Sequence, residues 1–472
     1  MNIIDIIKNS KFLKNFSVLA AGEVIGHAIG MLINITLARK LAPSMYGEYT
    51  LFLTYITLFY TVASLGLRQV VIRTIARNQA NSLPIFKISI LLRLIGFILA
   101  AVTFGIYNVI QPTGFSNLFI LMLLAGVFCQ SFWEAFQNVA FGMQKMQWTS
   151  IINVIGYLLM LLLYICIPAK IFTTTLVTYV YVGVFLIKDI IYLISLWKDK
   201  LLTTDKTQFS YPTKTLLTES IPFYILALFT LFSSQFPIIF LEKFNNLEEV
   251  AYFNTANKLL LPVSMLISTA LSALYPNQSQ SFVKGGDIFA KQTQKVLLFI
   301  ATSGVILAFL ISLFRKEFVY ILFGTQYEST GDVMAFQCWY QVLYAIFCFM
   351  GNTFGAADKQ KLLAVTSIIY ALVSMPILYV GAKYGAVGLS MGYIVASIVN
   401  MTYNYYYLLK TTEFKIPWIF NIGIFGGIAV FMGISLLIPD DSNILLRLII
   451  ALLFSVSIYV NRNKLVTYFK SI

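Results

Sequence analysis

Apolar runs of about 20 residues, the length that crosses a bilayer as one helix, succeed one another along almost the whole chain. Fourteen can be placed: 16–38, 47–66, 88–109, 117–140, 150–168, 172–195, 216–241, 252–277, 294–314, 333–356, 361–381, 385–409, 417–438 and 444–461. The splits near Lys170 and Lys383 rest on very short loops, and merging either lowers the count to twelve or thirteen. A helix that is apolar on every side has to be buried or face lipid. Of 472 residues, 59% are hydrophobic and 11% charged, against about 25% charged in a soluble domain. The chain is too poor in polar residues to cover such helices in water. The predicted class is an all-α polytopic membrane protein.

Lys8, Lys11 and Lys14 precede the first run as in a signal peptide, but that run continues to Ala38 and reads as an uncleaved first span. With alternate loops assigned to two sides, and Lys295, Lys361 and Arg447 at span ends counted with the adjoining loops, 22 of the 33 lysines and arginines fall on the side of the N-terminus, 8 on the other and 3 within spans. That bias predicts cytoplasmic termini. The net charge of +14 is then topological, because its lysines and arginines are scattered over short loops, and no nucleic-acid partner is expected.

Catalytic signals are sparse. There is no GxxxxGK[ST] phosphate loop and no long extramembrane segment, so no enzyme is expected. The GxSxG match at Gly388–Gly392 lies in an apolar helix, where a nucleophile elbow needs a strand–turn–helix setting, and reads as a close-packing surface. The cysteines Cys129, Cys166, Cys338 and Cys348 lack metal-ligand spacing and read as small buried hydrophobes. No metal and no organic cofactor is expected.

Polar residues inside the spans carry more information, since ionisable groups in hydrocarbon normally face a cavity or a partner. Glu23, His27 (the only histidine), Gly30 and Asn34 share about 60° of helix surface in the first span. Gly22, Gly26 and Gly30 form an adjoining small-residue face. Gln130, Glu134 and Gln137 align in span 4, Asn254, Lys258, Ser268 and Ser272 in span 8, and Gln337, Tyr340, Gln341 and Tyr344 in span 10. Span 7 carries Ser233, Ser234 and Gln235. Glu23, His27 and Glu134 are the candidates for ion coupling, with a proton or sodium ion as the coupled species. Arg93, one turn into span 3, either snorkels to the cytoplasmic surface or lies deeper as a candidate ligand, and Lys188, in span 6, is expected to snorkel.

A weak internal duplication pairs residues 38–73 with 241–276, and the turns at 140–147 and 353–361, six spans apart in each case. An even separation implies parallel repeats related by an axis along the membrane normal. The predicted domains are a six-helix bundle at 1–199, a second at 216–410, and two further helices at 417–461.

The segments LARKLAPSMYGEY (37–49), GLRQVVIRTIARN (66–78), LFGTQYESTGDVMAF (322–336) and GAADKQK (355–361) resemble the polysaccharide biosynthesis proteins known as O-antigen flippases, of the multidrug/oligosaccharidyl-lipid/polysaccharide exporter superfamily. The resemblance extends to about residue 410. It implies two six-helix bundles around a central cavity that opens alternately to either side. It also implies passage of an undecaprenyl-diphosphate-linked oligosaccharide from the inner to the outer leaflet of the bacterial cytoplasmic membrane, with membrane lipids, a glycan polymerase and assembly proteins as partners. The last two spans would form a groove for the lipid tail. A diphosphate needs cations, and the arginine fork suits it. The resulting substrate-site candidates are Arg68, Arg73, Arg77, Arg93 and Lys258, with Asn34, Gln235 and Asn254 as polar lining. The rival within the superfamily is a cation-coupled multidrug antiporter, which would need an acidic, aromatic cavity. Glu23, Glu134 and Glu219 against Arg93 and Lys258 leave the interior mixed.

Overall fold

A computed structural model of the chain describes residues 11–204, 212–411, 418–438 and 447–452. Among the described residues the regular structure is entirely helical. The helices are α1 (Lys11–Lys40), α2 (Pro43–Ser64), α3 (Leu67–Arg77), α4 (Ser82–Ile110), α5 (Asn117–Gly142), α6 (Gln147–Cys166), α7 (Thr174–Lys198) and α8 (Thr213–Ser234). They continue as α9 (Phe236–Phe244), α10 (Leu247–Val283), α11 (Gly286–Leu313), α12 (Arg315–Phe323), α13 (Thr330–Ala356), α14 (Gln360–Ala382), α15 (Gly385–Thr411) and α16 (Trp418–Leu437).

Eleven of the described helical segments are long and apolar enough to cross a bilayer, and twelve if α2 and α3, bent by 50°, count as one. The turns at Lys170 and Lys383 each lie between distinct helices, so neither pair of spans merges. The expected count of fourteen is not reached among the described residues: span 13 corresponds to α16, and most of span 14 lies outside them. Long apolar side chains cover the outer faces. On α4, Ile98, Val102, Ile106 and Val109 are 53–83% exposed at helical spacing, a stripe suited to hydrocarbon and costly in water.

Two compact units divide the chain, Met1–Gln235 and Phe236–Ile472. This boundary falls one helix later than the sequence-based one at 199–216, because α8 packs on α3 of the first unit.

In the first unit, α3, α4, α5, α7 and the start of α8 share a core of Val70, Val71, Ile75, Ile85, Phe136, Val139, Tyr192 and Leu216. The segment 67–77, expected as a stretch of basic loop, is therefore a helix with a buried face. The chain turns into it through Leu65 (φ 49°) and Gly66 (φ 66°). Gly66 is required twice: its φ is left-handed, and a Cβ there would lie 2.5 Å from the Tyr224 backbone nitrogen on α8. Lys40 ends α1 by donating to the carbonyls of Tyr164, Ile165 and Ile167, each at 2.8 Å. Its charge satisfies the free carbonyls at the α6 C-terminus.

In the second unit α13 is central, packed by α10, α11 and α15, with Trp339, Phe349 and Phe354 fully buried. Asn246 caps α10 by accepting from Glu249 N at 2.9 Å. The GxSxG segment is a packing surface, as its composition suggested. A Cβ on Gly388 would sit 2.6 Å from the Gly381 carbonyl oxygen, so α14 and α15 approach backbone to backbone. The C-terminal helices belong to this unit. Ser312 Oγ lies 3.2 Å from Ser435 Oγ, and Arg447 pairs with Glu317 at 2.6 Å. All four cysteines are free; Cys129 and Cys338 are buried, whereas Cys166 is exposed at the end of α6, against the expectation of burial.

Candidate functional site

The polar stripe of the first span opens on a pocket of about 320 Å³ within the first unit. Its walls are Gly22, Glu23, Gly26 and His27 of α1, Arg68 of α3, Gln137 and Phe141 of α5, and Thr149, Ser150, Asn153 and Tyr157 of α6. The small residues of α1 make this geometry. A Cβ on Gly22 would lie 2.5 Å from Ser150 Cβ, and one on Gly26 would lie 3.5 Å from the Tyr157 ring. Without Gly22 α1 could not approach α6 this closely, whereas a Cβ at Gly26 would make only ordinary contact with the ring; the close approach brings the carboxylate and imidazole, one turn apart, to the polar side of α6. Gly30, the third member of the small-residue face, meets nothing within 4 Å.

Arg68 supplies the positive charge. Its guanidinium lies 5.6 Å from the Phe141 ring centroid and 3.9 Å from Glu134 Oε1, and its side chain remains 42% exposed. Behind it, Glu134 is buried and already paired: Arg93 Nη2 donates to Glu134 Oε2 at 2.6 Å, and Arg93 Nη1 donates to the Ser131 carbonyl at 2.9 Å. A buried ion pair of this kind neutralises itself, which leaves Arg68 as the one arginine on the wall, balanced in formal charge by Glu23. Most of the other wall groups are uncharged hydroxyls and amides. Ser150 Oγ is buried with no hydrogen-bond partner among the described residues. Thr149, Asn153, Gln137 and Tyr157 add hydroxyl and amide groups. The arrangement can bind an anion beside hydroxyls; Glu23 is the one carboxylate on the wall.

The remaining sequence candidates are distributed unevenly. Glu134 joins the site through Arg68, but Arg93 is fully buried rather than snorkelling, because Glu134 and the Ser131 carbonyl hold it inside. Lys188 also fails to snorkel. It is 3% exposed, bonded to Asn153 Oδ1 at 2.9 Å, and surrounded by aromatic rings. Arg73 bonds Glu219 of α8 on an exposed face, and Arg77 is exposed at the end of α3; neither lines the pocket. Asn34 is held by its own helix and by Tyr46, donating to Gly30 O at 2.6 Å and accepting from Tyr46 Oη at 3.0 Å. Gln235 sits at the break between α8 and α9.

Asn254 and Lys258 belong to the second unit, one turn apart and both half-buried. That unit has a mixed, mainly apolar hollow of its own, about 430 Å³, lined by Met265, Ile267 and Leu271 as well as Ser264, Ser268, Tyr344, Cys348 and Asn352, and neither Asn254 nor Lys258 reaches it. Gln341 accepts from Ser264 Oγ at 2.9 Å, and Gln337 donates to the Phe253 carbonyl at 3.2 Å, so the span 10 stripe is partly structural. Ser272 has no described side chain.

Sequence reasoning missed the α6 wall. Thr149, Asn153 and Tyr157 recur at four-residue spacing from the residue before span 5 into it, and that periodicity was the signal that could have found them.

Residues 12–282, just over half of the chain, match the family model of polysaccharide biosynthesis proteins. Among solved structures, the chain is similar to the lipid II flippase MurJ in an inward closed conformation, with 14% identity, a TM-score of 0.70, and 95% of this chain and 99% of that chain covered. It is also similar to an inward-facing multidrug resistance MATE family transporter of the MOP superfamily, with 16% identity, a TM-score of 0.66, and coverage of 82% and 96%. A third is a MOP superfamily transporter from Pyrococcus furiosus, with 15% identity, a TM-score of 0.57, and coverage of 85% and 96%; its description reports a binding pocket of reverse polarity. No curated protein matches the sequence. At these identities the structural likenesses establish the fold, while the family model establishes membership: the chain belongs to the polysaccharide biosynthesis protein family and has the transporter fold of MurJ and the MATE proteins.

Proposed function

We propose that the protein is a flippase for a lipid-linked oligosaccharide, moving an undecaprenyl-diphosphate-linked glycan such as an O-antigen unit from the inner to the outer leaflet of the bacterial cytoplasmic membrane by alternating access. The observation that carries this reading is the state of Arg68. It is a half-exposed arginine on a hydroxyl- and amide-lined pocket, and Glu134, the carboxylate within ion-pair distance of it among the described residues, is already paired with Arg93. An arginine fork offers a diphosphate paired charge-assisted hydrogen bonds, while serine, threonine, asparagine and glutamine suit sugar hydroxyls and Tyr157 offers a ring face. Membership of the polysaccharide biosynthesis family supports the same substrate class. Glu23 and His27, facing the pocket from α1, are the candidates for a proton or sodium ion to drive the cycle. A polymerase and assembly proteins acting on the delivered glycan fit this role.

The reading moves the headgroup contact from the exposed Arg73 and Arg77 to Arg68. Purified protein in liposomes should flip a fluorescent undecaprenyl-diphosphate-linked sugar, with Arg68 above Arg68→Lys and Arg68→Ala lowest, because lysine keeps the charge and loses the fork. Equal rates in the three proteins would remove Arg68 from the headgroup site. Efflux of a lipophilic dye cation without glycan flipping would favour the multidrug antiporter, for which the Glu23 carboxylate and Tyr157 ring are the pertinent pocket groups.

A further inference from the structure

Lys188 and Gly156 are built around one another. Lys188, on α7, is 3% exposed, and its Nζ lies 4.2 Å from the ring centroids of both Trp133 and Phe185 and 5.3 Å from that of Tyr157. A Cβ at Gly156 of α6 would collide with Lys188 Cδ, so α6 is bare where the lysine stem crosses it. The Lys188 amine donates to Asn153 Oδ1 at 2.9 Å. Asp189, the neighbouring carboxylate, is 8% exposed, and its Oδ1 has no partner among the described residues. A cation enclosed by aromatic faces is stabilised there, and it cannot reach the pocket itself. What it reaches is a residue of the pocket wall.

An amide side chain has one acceptor end and one donor end. Lys188 holds the Asn153 oxygen and so fixes which way the amide is turned, leaving the Nδ2 hydrogens, which have no partner among the described residues, as its free donors. We propose that Lys188 is a positioning residue that fixes Asn153 as a hydrogen-bond donor toward the pocket, so that together with Arg68 it selects an anionic, oxygen-rich group over a cation. This rests on the flippase reading of the same pocket and adds what sets its polarity. An asparagine free to turn can present its oxygen as well as its nitrogen and so accept hydrogen bonds as well as donate them.

The test uses the full-length protein in nanodiscs. It measures affinity for a polyprenyl-diphosphate-linked monosaccharide together with the melting temperature. Asn153→Asp separates the two roles. The carboxylate gives Lys188 an ionic partner, so a merely structural contact is kept or strengthened and melting stays at or above wild type. The pocket, however, exchanges a donor for a negative acceptor, and affinity should fall by about tenfold or more. Lys188→Met keeps the stem and removes the donor, and should also weaken binding. Asn153→Asp with wild-type affinity overturns the proposal even if Lys188→Met fails to fold. Loss of binding in Arg68→Ala but not in Asn153→Asp leaves the flippase reading standing and removes Lys188 from it. A wild-type protein that does not bind the probe overturns both.

Discussion

The Arg93–Glu134 pair makes an unequal prediction for its two halves. Glu134→Gln leaves Arg93 charged, 0% exposed, and without another carboxylate partner among the described residues. Breaking a buried pair this way costs about 3–5 kcal/mol. Arg93→Met leaves Glu134 charged instead, but Arg68 already stands 3.9 Å away, against 2.6 Å for Arg93. Coulomb attraction scales inversely with distance, so Arg68 as it stands retains about two-thirds of the lost attraction, and it can move closer. The expected cost of Arg93→Met is correspondingly smaller, about 1–2 kcal/mol. The double change Arg93→Met with Glu134→Gln removes both charges and should be milder than Glu134→Gln alone. Function should follow a different order. In Arg93→Met, Arg68 is drawn into the carboxylate and away from the pocket, so flipping should fall further than stability does. Apparent melting in detergent and flipping in liposomes measure the two effects. Equal destabilisation by the two single changes would show that Arg68 does not reach Glu134, and would refute its role as the second partner of that carboxylate.

Gly66→Ala should destabilise by about 1–2 kcal/mol from its left-handed backbone alone, and more from the 2.5 Å clash with α8; reduced abundance in the membrane is the readout. Arg73→Glu should impair folding of α3 on α8 through repulsion from Glu219, with recovery in Arg73→Glu paired with Glu219→Arg. A direct headgroup role for Arg73 would instead leave the charge-swapped double variant inactive. Reporter fusions at Asn78 and Lys145 should both report the cytoplasm, and fusions at Asn246 and Lys383 the opposite side. An outside signal at Lys145 would overturn the span assignment. Glu23→Ala and Lys258→Ala should each lower glycan export at near-normal protein level, since neither has an ion-pair partner among the described residues to lose; normal export in both would mark these residues as structural.

Hydropathy along one dimension was enough to identify an all-helical membrane protein and to place its long spans, because each crossing has to satisfy the bilayer locally. The helical repeat likewise put Glu23 and His27 on one face beside Gly22 and Gly26, and both expectations hold in the pocket that α1 shares with α6. The same local rule read Lys188 as snorkelling and left Arg93 open to it, and there tertiary structure decided otherwise. Arg93 finds Glu134 41 residues away on α5, and Lys188 finds Asn153 35 residues away on α6. Sequence position alone does not specify which helices become neighbours, so it could not show that these charges had partners to stay buried with. For the same reason the basic segment 67–77 read as one cluster of candidate phosphate ligands. Only its folding as a helix between α5 and α8 turned Arg68 toward the pocket and Arg73 toward Glu219: residues five apart on a helix point about 140° apart, and the neighbours on either side assign each its task.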